Sequence, residues 1–128
     1  MWVIAYWLYF GNAVLLICHE IDSAYWKEWE LFGMKGGVSP FLLLHIPMVA
    51  AILYGLAEMQ NRSFAGLVFS MILGACGIFA FSIHVFFMAR GRAEFRAPVS
   101  LFLLCATLLV SAFQVVIAVM LAFGGAAG

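Results

Sequence analysis

The chain has three histidines, His19, His45 and His84, and each lies in a different apolar stretch. Imidazole is the commonest side-chain ligand for transition metals. His19 opens an acidic segment that holds Glu20, Asp22, Glu28 and Glu30 together with Trp26 and Trp29. Asp22 follows His19 by three residues, so on a helix the two stand at adjacent positions of one face. Neutral imidazoles with a carboxylate make a donor set that Zn²⁺ accepts, as does a non-haem iron or manganese ion. The expected ligands are therefore His19, Asp22, His45 and His84, with Glu20 and Glu30 as acid/base groups beside them.

Such a cluster needs elements that bring distant residues together. The 128 residues are 67% hydrophobic and only 9% charged, and their mean hydropathy is +1.14. A soluble domain carries roughly a quarter of its residues charged, so the solvent of this chain is largely lipid. Apolar runs predict four transmembrane helices over about 2–24, 40–58, 64–88 and 99–123. At about 1.5 Å per residue each can cross a hydrocarbon layer of ~30 Å. The expected fold is a single all-α domain, a polytopic four-helix up-down bundle. Gly33, Gly36 and Gly37 end the first helical segment, and Ser39-Pro40 opens the next in cap-then-proline order. The first run has no basic leader and no small-residue cleavage site, so it reads as a retained span rather than a signal peptide. Beyond a Gly/Ala tail at Gly124–Gly128 there is no repeat or low-complexity segment.

Basic residues set the expected orientation. The loops after the first and third spans hold Lys27, Lys35, Arg90, Arg92 and Arg96, whereas the opposite side holds Arg62. The positive-inside rule then puts both termini on the non-cytoplasmic side of a cell (inner) membrane. This bias argues against a dual-topology dimer of the small multidrug transporter kind. Up-down threading places all three histidines within roughly two helical turns of one depth, in the cytoplasmic leaflet.

Helical phase adds direction. At about 100° per residue, Asn12, His19, Ser23, Trp26 and Glu30 share one stripe, with Asp22 at its edge, while Glu20, Lys27 and Glu28 point elsewhere. Lys27 and Glu28 are expected to face solvent. His84 falls in line with Gly66, Ser70, Gly74 and Gly77, small residues that let helix backbones approach. Pro47 cannot donate to the Leu43 carbonyl, which loosens the helix beside His45 and could open a cavity there. Ser100, Thr107, Ser111 and Gln114 form a polar face, the expected fourth wall of the site, and Cys105 lies off it. Each feature also has a plain structural explanation: a histidine can bond across helices, glycines can serve packing alone, and Asn12 and Gln114 suit interhelical hydrogen bonds. The shared depth of the three imidazoles favours a site.

The stretch from His19 to Glu30, with the later Leu44-His45-Ile46-Pro47, resembles the signature of small bacterial multipass membrane proteins catalogued as domains of unknown function. It is also loosely similar to the HxxEE membrane family, in which a histidine is followed by a carboxylate pair; here Ser23 follows Asp22. The resemblance covers about a quarter of the chain, implies a bacterial inner-membrane setting and carries no activity.

Three functions compete. The first is a membrane metalloprotein that could act as an enzyme on a hydrophobic substrate. The second is a small haem b protein with two axial histidines. The third is a non-catalytic subunit or small transporter that uses histidines and carboxylates as a proton relay, either as a homo-oligomer or beside a partner membrane subunit. No Lys/Arg-rich patch fits nucleic acid. No phosphate-binding loop or nucleophile elbow is present, and Ser23 stands where a zincin motif begun by His19-Glu20 needs histidine. Three unpaired cysteines in apolar stretches, Cys18, Cys76 and Cys105, do not form a disulfide framework.

Overall fold

The computed structural model describes residues 1–92 and 96–124. Residues 93–95 of the last connection and 125–128 of the Gly/Ala tail lie outside them. Helices α1 (Trp2–Tyr25), α3 (Val38–Gln60), α4 (Phe64–Ala89) and α5 (Pro98–Gly124) are long, and a single turn, α2 (Glu28–Leu31), follows the first of them. The long helices have 24, 23, 26 and 27 residues, and all four are apolar enough to cross a membrane. The protein is all-helical, with the four-helix bundle architecture of a multipass membrane protein.

The distribution of polarity fits a lipid solvent. Leu43, Phe102 and Phe113 are more than 60% exposed, whereas Asn12, Ser70, Ser111 and Gln114 are buried. In water this arrangement would leave a large apolar surface wet; in lipid it satisfies both sides.

Packing is uneven. Helix α5 lies against α4 and α1, while α3 lies against α4 and α1 on the other side, so α1 and α4 form the shared middle. The α1–α4–α5 seam is polar and tight. Asn12 Nδ2 donates to Ser111 Oγ (3.0 Å) and Gln114 Oε1 (2.7 Å), and Gln114 Nε2 donates to the Ser70 carbonyl (2.9 Å). Close approach is possible because Gly77 lacks a side chain: a Cβ there would overlap Ser111 Oγ. Against α3 the core is apolar, built on Ala5, Tyr9, Leu16, Ile52 and Leu73. Tyr9 Oη donates to the Ile52 carbonyl at 2.9 Å.

Helix α1 ends at Tyr25, and Lys27 then adopts a left-handed conformation (φ 54°, ψ 49°). That reversal sends α2 off the axis of α1. Two aromatic contacts hold the turn and its flank across the end of the bundle, Trp29 against Phe41 of α3 and Phe32 against Phe87 of α4. The connection after α3 is short; Ser63 caps α4 by accepting from the Gly66 N–H at 2.9 Å.

Candidate functional site

Within α1 the inward stripe is observed as read from phase. Asn12, His19 and Ser23 are all at most 1% exposed. From α4, His84 is equally buried, in line with Ser70, Gly74 and Gly77. The two imidazoles meet edge to face with ring centroids 4.7 Å apart.

The tautomer of His84 follows from its backbone contact. Its Nδ1 lies 2.7 Å from the Ala80 carbonyl, which can only accept, so Nδ1 carries the proton. The other nitrogen, Nε2, is aimed at Glu28 Oε1, 3.5 Å away. A ring fixed by an N–H to a backbone carbonyl, with its second nitrogen turned inward, is the usual posture of a metal-ligating histidine.

Glu28 completes the group. One donor atom from each of His19, Glu28 and His84 lies within 4.8 Å of the others, and all three residues are buried. A tetrahedral ion with bonds of about 2.0–2.1 Å needs donors roughly 3.3 Å apart, so the 3.5 Å from His84 to Glu28 already suits it and His19 has a short way to close. Glu28, expected to face solvent, is instead buried, because the phase of α1 does not continue through Lys27, where the backbone reverses. For the same reason Glu30, placed on the histidine stripe by phase, is exposed.

The remaining sequence candidates stand beside this group rather than in it. His45 Nδ1 donates to the Phe41 carbonyl (2.6 Å), and its Nε2 is 2.7 Å from Glu20 Oε2. Two bare lone pairs would not approach so closely, so a proton lies between them. Whether it sits on nitrogen or oxygen, the pair carries no net charge. Asp22 accepts from Trp26 Nε1 at 3.2 Å, one turn further along α1.

Residues 5–121 match the family model described as a family of unknown function (DUF6713). The chain belongs to this family. Comparison with curated proteins and with solved structures returns no match.

In this DUF6713 chain the histidine–glutamate group closes one end of a cavity of about 380 Å³. Both pairs, His19 with His84 and Glu20 with His45, face the cavity, and Glu28 and Phe32, in and just after α2, line it as well. Its body is apolar, walled by α1, α3 and α4. The polar face of α5, expected as a fourth wall, instead lies in the α1–α4–α5 seam, and no described residue of α5 lines the cavity.

Proposed function

We propose that this protein is an integral membrane metalloprotein in which His19, His84 and Glu28 hold one divalent transition ion: zinc, or a non-haem iron or manganese. The carrying observation is the convergence of two imidazoles and one carboxylate, from three separate elements, on one buried point. Two histidines and a carboxylate serve both catalytic zinc sites and non-haem iron sites, and such sets leave coordination positions open for water or substrate. An ion there would act as a Lewis acid or activate a bound water. The Glu20–His45 pair, facing the same cavity with one exchangeable proton, would be the acid/base partner. The site would then serve a metal-dependent reaction on a hydrophobic substrate.

The setting we infer is a bacterial inner membrane with the site in the cytoplasmic leaflet. The leaflet is supported by the five basic residues Lys27, Lys35, Arg90, Arg92 and Arg96 on the site's end of the chain against Arg62 on the other.

Two other readings are weighed by geometry. A haem held between His19 and His84 would need the thickness of a macrocycle between rings that touch edge to face at 4.7 Å. A metal-free proton relay draws support from the Glu20–His45 pair, and in it His84 Nε2 and Glu28 would be a second proton-passing pair. Metal analysis of protein purified without chelator separates them. We expect near one equivalent of a single transition metal per chain, falling below about a tenth in His19→Ala and His84→Ala. Wild-type protein with less than about a tenth of an equivalent would sink the metal reading.

A further inference from the structure

The cavity is open sideways. Leu44 and Met48 of α3, and Ile72 and Phe79 of α4, line it and are 36–63% exposed on the outer surface of the bundle. In a bilayer that surface meets acyl chains, so the opening between α3 and α4 faces lipid. From His19 the cavity reaches Tyr9, ten residues back along α1, a length of about 15 Å. It is thus an apolar slot with a polar end. Its volume, about 380 Å³, lies at the low end of the roughly 300–1,000 Å³ of ligand pockets, suited to a single chain rather than a diacyl lipid.

Charge selects the head of that chain. This step rests on the metal reading above. A divalent ion with Glu28 and two neutral imidazoles leaves one positive charge, and the neighbouring Glu20–His45 pair adds none. The complementary partner is a monoanionic oxygen ligand. An alkyl chain gains little by leaving lipid for an apolar slot, since both surroundings are hydrocarbon. Affinity must therefore come from the head, and position from the slot.

We infer that the protein takes a long-chain fatty acid laterally from the bilayer, its alkyl chain between α3 and α4 and its carboxylate at the His19–Glu28–His84 end. The test uses the metal-loaded full chain in phosphatidylcholine nanodiscs, with nitroxide-labelled stearic acid followed by electron paramagnetic resonance. A matched labelled alkylamine is the charge control. Ala51→Phe with Cys76→Phe fills the slot midway, at two surface-facing lining positions away from the ligands.

Wild-type protein should show an immobilised component of the fatty acid, with the amine at least about tenfold weaker. The paired variant should keep its metal and lose that component. An unchanged component in a metal-replete paired variant overturns the slot. So does a metal-replete wild type with no immobilised component. Preference for the amine overturns the carboxylate assignment, because a metal-free cluster carrying the Glu28 charge would choose a cation. Metal content, measured on the same samples, reports separately on the metal reading.

Discussion

Glu28 has the largest consequences of any single side chain here, because among the described residues it is the carboxylate that groups with both His19 and His84. Glu28→Gln keeps the shape and removes the charge. It should weaken metal binding by more than the roughly 10–100-fold typical of losing a partner outside the coordination sphere. Asp22→Asn changes a carboxylate that accepts from Trp26 instead, and should leave metal stoichiometry at the wild-type value. Titration against a competing chelator measures both, and equal losses in the two variants would remove Glu28 from the ligand set. Tyr9 tests a different bond. Its hydroxyl reaches the α3 backbone because Gly55 offers no Cβ, which would overlap Oη. Tyr9→Phe should cost about 0.5–1.5 kcal/mol in reversible unfolding, toward the lower end for a bond within a membrane bundle.

At the level of elements, the regular helices were legible in the sequence and the break between them was not. The stripe of Asn12, His19 and Ser23 is buried as phase implied, and so is the line from Gly66 to His84, because an uninterrupted helix carries its angle from residue to residue. Past Tyr25 the helix no longer carries that angle. Lys27 has no sequence mark of a left-handed residue, so the inward turn of Glu28 could not be read. The partner of His45 was hidden for another reason. Helix α3 is apolar nearly all round, which leaves its rotation undetermined, and Glu20 and Asp22 were both within plausible reach. Lys27→Val puts a β-branched residue where φ is positive, a further cost of about 1–2 kcal/mol that favours unhooking α2. Metal content should fall while helical circular dichroism holds, and Lys27→Gly should retain the metal. Gly77→Ala inserts a methyl group into Ser111 Oγ and Thr107, so α4 and α5 must part, at about 1–3 kcal/mol. Phe102→Leu, on the exposed side of α5, should change stability by less than about 0.5 kcal/mol.

For the molecule as a whole, orientation decides which leaflet supplies the cavity. Alternating helices put the α1–α3 and α4–α5 connections at one end, and the histidine–glutamate group lies at that end, beneath α2. The same connections carry Lys27, Lys35, Arg90, Arg92 and Arg96, and short basic loops resist translocation, so this end should face the cytoplasm. Cysteine accessibility reads it directly. In a background lacking Cys18, Cys76 and Cys105, Asn61→Cys marks the end away from the site and Ser39→Cys the end beside it; both positions are exposed, and neither is one of the basic residues that set topology. On intact cells a membrane-impermeant maleimide should label Asn61→Cys, and should reach Ser39→Cys only after permeabilisation. The reverse pattern would move the site to the outer leaflet, and partial labelling of both in intact cells would mean that the charge bias fails to fix one topology. The expected pattern makes the cavity a port on the cytoplasmic leaflet, where a single-chain acid could reach the buried carboxylate–imidazole end without its head crossing the bilayer, a crossing that a charged group makes at a cost of several kcal/mol.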